Sequence, residues 1–272
     1  MRVVIPAAGL GSRFLPVTSI VPKELLPLGT KPLIQHAVEE AERAGFDEIL
    51  VVISPDKRAI ARYFQAKPRL AALLARRGET AAVERLRETW ALADRLRLVF
   101  VEQPRPLGLG DAVLRCAERL EGEPFAVLLP DDVLPGAGHW RRLRALHERH
   151  RGACLCLRRV PAELVHRFGV AAAEVSAGGE LRVRALVEKP APGAAPSDLV
   201  VLGRYLFTPE ALVVLRGLAA ASRPGELQLT AALDALARTE PGLHAVLFDG
   251  AHFDCGTPAD HARAVAAFPA QG

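Results

Sequence analysis

Four short apolar runs in the first half of the chain alternate with segments of helical character, and this alternation limits the fold more than any other feature. The runs lie at 2–7, 49–53, 98–102 and 125–129. Each has the length of one strand, and strands that are apolar on both faces are typical of a parallel sheet with helices packed on each side. The intervening patterns predict helices at 32–44, 57–64 and 110–120.

The second half has stronger β signals and shorter connections. It predicts a helix at 139–150 and strands at 153–160, 169–175, 181–188 and 199–207. A tight turn predicted at Gly178-Gly179 favours antiparallel pairing of its neighbours. The sequence therefore predicts one α/β domain over 1–272 with a mixed, mostly parallel central sheet. The remaining predicted segments are a helical insertion at about 66–95, broken at Gly78, and surface loops at 190–197 and 222–226.

Composition excludes several classes of protein. The net charge of +4 comes largely from arginines in helical stretches that also carry acidic residues, so we expect no nucleic acid partner. No apolar stretch approaches the roughly 20 residues of a spanning helix, and the N-terminus has no signal-peptide pattern. We therefore expect a cytoplasmic protein without a membrane partner. We also expect no disulfide among the four sparse cysteines, Cys116, Cys154, Cys156 and Cys255.

A glycine-rich loop at 6–16 follows the first predicted strand. It lacks the Gly-Lys-Ser/Thr of a Walker A loop, and Phe14 stands where a dinucleotide-binding loop needs its third glycine. Such a loop can still bring backbone N–H groups close to a phosphate. By itself it could equally be a plain structural turn. Arg13 within it, and Lys23 ten residues later between two prolines, together indicate phosphate binding.

Polar residues beside other predicted strands and turns are further candidates. Asp131 follows the run 125–129, and Asp254 precedes a glycine turn. Two carboxylates near phosphates are a usual magnesium arrangement, although an isolated aspartate at a strand end is more often a cap. Gln103 could pair with a pyrimidine edge or simply end its strand. The adjacent Glu188 and Lys189 could bind a sugar phosphate or form an ordinary charge pair.

Several of these motifs together resemble the sugar nucleotidyltransferase family. The resemblance rests on Ala-Ala-Gly-Leu-Gly-Ser-Arg-Phe-Leu-Pro, Pro-Lys-Glu-Leu-Leu-Pro-Leu, Val-Glu-Lys-Pro and Asp-Cys-Gly. It implies a Rossmann-like, three-layer α/β/α fold of the GT-A-like kind, with a nucleotide-binding part at about 1–135 and a sugar-binding part at about 136–260. It also implies a Mg²⁺ cofactor.

The resemblance assigns a role to each candidate residue. The loop with Ala8, Gly9 and Gly11 would wrap the triphosphate, while Arg13 and Lys23 would contact the reacting phosphates. Gln103 and Gly108 would bind the base, and Asp131 and Asp254 would bind the metal. Gly169, Glu188, Lys189 and Gly203 would surround the sugar phosphate, with Lys189 also acting in catalysis.

Four motifs resemble the bacterial branch of the family that uses UTP and glucose 1-phosphate to make UDP-glucose. They are Leu-Pro-Asp-Asp at 129–132, Gly-Leu-Gly at 108–110, Gly-Glu-Leu-Gln-Leu-Thr at 225–230 and Asp-Cys-Gly at 254–256. Asp111 stands where this branch often has histidine. A glucose-1-phosphate thymidylyltransferase and a catalytically silent regulatory paralogue that binds nucleotide sugars are the alternatives. By resemblance, we expect a homo-oligomer, either a dimer or a tetramer.

Overall fold

The computed structural model describes residues 1–176, 179–221 and 225–269. The strands are β1 (Arg2–Pro6), β2 (Pro27–Leu28), β3 (Lys31–Pro32), β4 (Glu48–Ile53), β5 (Arg97–Glu102), β6 (Phe125–Leu128), β7 (Asp132–Val133), β8 (Ala153–Arg159), β9 (Gly169–Val175), β10 (Leu181–Glu188), β11 (Leu199–Phe207), β12 (Leu243–Leu247) and β13 (Phe253–Asp254). The helices are α1 (Leu33–Arg43), α2 (Arg58–Tyr63), α3 (Pro68–Arg76), α4 (Thr80–Arg95), α5 (Leu109–Leu114), α6 (Ala117–Leu120), α7 (Gly138–His150), α8 (Glu210–Ala221), α9 (Leu229–Ala237) and α10 (Pro258–Ala267).

The main sheet has the strand order β5-β4-β1-β6-β11-β8-β12-β10-β9, with β11 also pairing with β9. The neighbours β5, β4, β1 and β6 are parallel, as are β8 and β12. Only β11 and β10 run against the other strands of this sheet. The prediction of a mixed, mostly parallel sheet is confirmed. The parallel pairing also places the carboxyl ends of β1, β5 and β6 at one edge, where ligands bind in such sheets.

Both faces of the sheet are buried, because successive side chains of each strand point to opposite sides. In β1, Val4 belongs to one core cluster, whereas Val3 and Ile5 belong to the other. Residues of α5, α8 and α9 cover the first face, and residues of α1 and α7 cover the second. This three-layer packing agrees with the predicted fold class.

The sequence prediction differs from the structure in several elements. The single helix predicted at 110–120 is two short helices, since the chain turns at Arg115 and Cys116 and thereby keeps both Cys116 and Leu120 buried. Strand β12 and helices α8, α9 and α10 were not predicted. The segment at 66–95 contains α3 and α4, separated at Gly78. Gly178 of the predicted turn, and residues 222–224 of the predicted polar loop, lie outside the described residues.

The four cysteines are free and buried. Cys154 and Cys156 lie in one core cluster while Leu155 and Leu157 lie in the other, so these cysteines fill one face of a strand. In the part of the chain that the structure describes, no helix has both the length and the apolar character needed to cross a membrane.

Candidate active site

One cleft of about 360 Å³ opens at the carboxyl edge of the parallel strands. It collects seven of the residues predicted from the sequence, namely Ala8, Gly9, Gly11, Lys23, Gln103, Gly108 and Asp131. Leu129, Glu226 and Gln228 complete part of its wall. The topology explains this convergence, because the loops after β1, β5 and β6 all leave the sheet at the same edge.

The loop after β1 is held in a fixed shape by local hydrogen bonds. Gly11 has a φ of 65°, in the left-handed region that favours glycine, and its carbonyl accepts hydrogen bonds from the Phe14 amide at 2.9 Å and the Thr18 hydroxyl at 2.8 Å. Arg13 is exposed, and its Nη1 lies 3.5 Å from the carbonyl oxygen of Gly256. The loop therefore presents a guanidinium toward the segment that contains Asp254.

Lys23 contacts Asp131 directly. Its Nζ donates to Oδ2 of Asp131 at 2.6 Å, and both side chains are about one fifth exposed. Burial disfavours the charged form of Lys23, but the negative charges of Asp131 and Glu24 outweigh this effect and raise its pKa. Lys23 is therefore cationic at neutral pH, at a position where a ligand can reach it.

A second ion pair lies directly behind Lys23. Both carboxylate oxygens of Glu24 accept from Nζ of Lys57, at 3.0 and 2.7 Å, and both side chains are buried. Burial raises the pKa of Glu24 and lowers that of Lys57, so the pairing only partly offsets desolvation. This pair fixes the backbone next to Lys23.

Asp254 reaches the same region through the small sheet of β7 and β13. In that sheet Asp254 lies opposite Asp132, and the Cys255 amide donates to the carbonyl of Asp131 at 2.8 Å. These contacts join segments that are more than 100 residues apart in the sequence. Burial, followed by the charge of Asp132, raises the pKa of Asp254.

The two acidic residues fit a magnesium ion. A Cβ on Gly256 would lie 3.1 Å from Oδ1 of Asp254, 3.8 Å from Nη1 of Arg13 and 3.9 Å from Oδ2 of Asp131, so the two carboxylates and the guanidinium face one small space. Within 1–176, 179–221 and 225–269, no group of three or more His, Cys, Asp or Glu side chains could hold a metal ion. A pair of carboxylates suits Mg²⁺, which usually takes one or two of them and keeps several waters.

Gly203 lies against the loop after β6. Its amide donates to Oδ2 of Asp132 at 3.0 Å, and a Cβ on it would lie only 2.5 Å from Cβ of Leu129. His252 donates from Nε2 to Oδ1 of Asp132 at 2.8 Å, because its Nδ1 accepts from Arg158. Only glycine fits at 203 without displacing this network.

The remaining predicted sugar residues lie at the paired ends of β9 and β10. Gly169 pairs with Glu188, and Oε2 of Glu188 accepts from the Thr230 hydroxyl at 2.6 Å. Nζ of Lys189 lies 3.4 Å from Oε1 of Glu188, and the backbone of Lys189 has a φ of 44°. The structure thus brings Lys23, Asp131 and Asp254 together, whereas Lys189 contacts Glu188 at the paired ends of β9 and β10. Burial, and then the negative charges of Asp132, Glu188 and Asp131, raise the pKa of the Tyr205 hydroxyl.

Sequence reasoning missed several residues of this region. Arg167 forms ion pairs with Asp254 and Asp260, and its signal was its position two residues before Gly169, which the resemblance assigned to the sugar phosphate. Thr230 was noted within a motif but was not assigned to Glu188. Asp111 was noted only as a departure from the resembled branch, yet it accepts a hydrogen bond from Gln103.

The chain is similar in sequence to a known family and to known enzymes. The family described as nucleotidyl transferase matches residues 2–271. A UTP–glucose-1-phosphate uridylyltransferase of Bacillus subtilis is 40% identical over 260 residues, covering 94% of this chain and 86% of the relative. One of Streptococcus pneumoniae is 40% identical over 264 residues, covering 94% and 85%.

The fold is also similar to those of solved structures. A UDP-glucose pyrophosphorylase complexed with UDP-glucose superposes with a TM-score of 0.85 at 32% identity, covering 98% of this chain and 97% of that one. A UTP-bound enzyme of this kind from Acinetobacter baumannii superposes with a TM-score of 0.86 at 32% identity, covering 97% and 92%.

Proposed function

This chain belongs to the nucleotidyl transferase family, and from that membership we propose that it transfers a uridylyl group from UTP to glucose 1-phosphate. The products are UDP-glucose and pyrophosphate. The observation that carries the assignment to this cleft is the Lys23–Asp131 pair with Asp254 beside it, open to the loop at 8–12. A cation and two carboxylates at one strand edge suit a reaction between two phosphates.

In the proposed reaction, an oxygen of glucose 1-phosphate forms a bond to the α-phosphorus of UTP. The bond from that phosphorus to the oxygen that bridges to the β-phosphate breaks, and pyrophosphate leaves with its electron pair. No covalent intermediate with the protein is needed, because the sugar phosphate is already an anionic nucleophile. The protein must align two anions that repel each other, and alignment alone can be worth about 7–11 kcal/mol.

Three cations are proposed to offset that repulsion. Nζ of Lys23 would exchange Asp131 for a phosphate oxygen, and exposed Arg13 would face the departing pyrophosphate. Lys189 would bind the sugar phosphate. Its left-handed backbone costs about 1–2 kcal/mol in a residue other than glycine, and strain of this kind concentrates at functional sites.

The other predicted residues would hold the substrates. Backbone groups of Ala8, Gly9 and Gly11 would contact the triphosphate, and Gln103 and Gly108 would contact the uracil. Gly169, Glu188 and Gly203 would surround the sugar. Asp131 and Asp254 would hold Mg²⁺, which when bound neutralises negative charge on the phosphates.

Release of pyrophosphate from UTP and glucose 1-phosphate in the presence of Mg²⁺ tests the proposal. We expect turnover well above a blank without sugar phosphate, and less turnover with dTTP, CTP, ATP or GTP. Pyrophosphate release with dTTP and glucose 1-phosphate, but with none of the other nucleotides, would favour the thymidylyltransferase alternative. Absence of release with every nucleotide would contradict the enzymatic assignment and favour a silent binding protein.

We also infer that the enzyme works in the cytoplasm, where nucleoside triphosphates are available, and as a homo-oligomer. The oligomer is an expectation from family resemblance. Light scattering of the purified chain would give its mass, and a mass near the 29.2 kDa of one chain would contradict it.

A further inference from the structure

Gln103 is more constrained than a residue that only lines a cleft. It follows β5, its backbone amide donates to the carbonyl of Ile53 at 2.9 Å, and its side chain is almost fully buried. Nε2 of the side chain donates to the carbonyl oxygen of Gly108 at 3.1 Å and to Oδ2 of Asp111 at 2.7 Å. Both hydrogens of the amide nitrogen are therefore in use.

The orientation of this amide follows from its partners. The amide nitrogen and oxygen of a glutamine can be exchanged by rotation, so the assignment depends on the surrounding network. A backbone carbonyl and a carboxylate both only accept hydrogen bonds, so only the nitrogen can face Gly108 and Asp111. In the described part of the chain no donor reaches Oε1, and this acceptor is left for a ligand in the cleft.

Both partners are themselves fixed. Gly108 has a φ of 93°, and a Cβ there would lie 2.7 Å from the carbonyl oxygen of Leu227, so its backbone packs directly on a neighbouring segment. Arg115 donates to both carboxylate oxygens of Asp111, at 3.3 and 3.1 Å. The amide of Gln103 therefore has one favoured orientation before any nucleotide binds.

From this geometry we propose that Asp111 is a positioning residue that determines base specificity, by holding Gln103 with its acceptor toward the base. This inference rests on the proposed function, since it concerns the nucleotide of that reaction. Uracil and thymine carry an N3–H donor that matches an acceptor. Cytosine carries an unprotonated N3 acceptor, which would face Oε1 without a hydrogen between them, and unmatched buried polar groups are strongly disfavoured. The arrangement thus selects bases with an imide N–H and excludes cytosine.

The experiment compares UTP, dTTP and CTP in the wild type and in Asp111→Ala. Removal of the carboxylate leaves one amide hydrogen unused and leaves only the Gly108 carbonyl to orient the amide, so the rotated amide becomes less unfavourable. We expect the ratio of kcat/KM for UTP to that for CTP to fall by about 10-fold or more, mainly through KM. The ratio for UTP to dTTP should change little, because both bases present the same N–H. Asp111→Asn keeps an acceptor oxygen and should restore most of the UTP preference.

Arg115→Ala is the matched control. It removes the ion pair on the helix surface but leaves the hydrogen bond from Gln103 to Asp111, so nucleotide preference should change less than in Asp111→Ala. Calorimetric titration with UTP and CTP without sugar phosphate gives the ratio of their dissociation constants, which should shift in the same direction independently of turnover. An unchanged ratio in Asp111→Ala, in both assays, would overturn the inference. Failure of the proposed function would instead appear as absence of turnover in the wild type.

Discussion

Two cations of this protein, the buried Arg204 and the partly exposed Lys23, are held by carboxylates in different ways. Arg204 is 1% exposed; its Nε and Nη2 donate to Glu40 at 2.6 Å each, and further hydrogen bonds reach the carbonyls of Leu129, Gly203 and Asp132. Lys23 has one carboxylate partner and is 20% exposed at the edge of a cleft. A cation with every donor satisfied inside the core stabilises the fold, whereas a cation with a single accessible partner can exchange that partner for a substrate.

The largest effect should follow from Arg204→Met. The substitution leaves the Glu40 carboxylate buried, with His139 and Trp140 as its remaining donors among the described residues. We expect the free energy of unfolding to fall by about 3–5 kcal/mol, measured by urea denaturation. Adding Glu40→Gln should recover part of the loss, since the uncompensated charge disappears.

Arg159→Met is the control for this prediction. Arg159 also binds a carboxylate with two contacts, both to Asp198 at 2.6 Å, but it is 63% exposed. Its loss should cost less than about 1 kcal/mol. Equal losses in the two variants would mean that burial does not distinguish these pairs.

Lys23→Ala should lower turnover strongly and the free energy of unfolding only slightly. We expect turnover of UTP and glucose 1-phosphate to fall about 10²–10³-fold, as for other groups that stabilise charge in a transition state. The free energy of unfolding should change by less than about 1 kcal/mol, because Asp131 can be hydrated from the cleft. Pyrophosphate release and urea denaturation of the same preparation measure both quantities.

Lys31→Ala provides a matched control for Lys23. Lys31 also pairs with a carboxylate, that of Glu39 at 2.9 Å, and is 29% exposed, but it is not part of the cleft. Its removal should leave turnover unchanged. A variant of Lys23 that retained normal turnover, or that unfolded like Arg204→Met, would remove the distinction between the two cations.

The contrast also shows what the sequence could reveal. Asp131 was chosen because it follows a predicted strand, Asp254 because it precedes a glycine turn, and Lys23 because it lies between two prolines shortly after the glycine-rich loop. The structure places all three together. Their catalytic and metal roles remain predictions. The partner of Arg204 was not foreseen, because Glu40 is 164 residues away and contacts of that range depend on how α1 packs on the sheet. One local sign existed, since Glu40 lies on the apolar side of its helix with Ala37 and Ala41, where a charge needs a partner.

Strand β12 was missed for a related physical reason. It has only five residues, and it enters the sheet beside β8, far from its sequence neighbours. The orientation of Gln103 was also beyond the sequence, since it depends on the side chain of Asp111 in the next helix. Local patterns thus predicted most strands of the sheet and the edge where the site lies, but not the contacts between distant side chains.

Lys57 is intermediate between Arg204 and Lys23, because it pairs with a buried carboxylate, that of Glu24, which is next to Lys23 in the sequence. Lys57→Met should lower the free energy of unfolding by about 2–3 kcal/mol, below the loss for Arg204→Met, since the charge of Lys23 still acts on Glu24. Turnover should fall only a few-fold. Urea denaturation and pyrophosphate release measure the two effects, and Lys57→Met combined with Glu24→Gln should regain stability. A loss of turnover as large as that of Lys23→Ala would show that the pair acts in the reaction.

The smallest effect concerns the pH dependence of Glu40. Burial favours its neutral form, but the charge of Arg204 and hydrogen bonds from His139 and Arg204 outweigh this and lower its pKa below the ordinary 4.5. A lowered carboxyl pKa means that the unfolded chain binds the proton first, so the stabilising contribution is present above about pH 4.5 and is lost as the pH falls through the folded-state pKa. The wild type should therefore lose stability below that pH more steeply than Glu40→Gln, by at most about 1.4 kcal/mol per pH unit. Urea denaturation at several pH values between 6 and the acid limit of folding measures both slopes, and parallel slopes would show that Glu40 keeps its ordinary pKa despite its contact with Arg204.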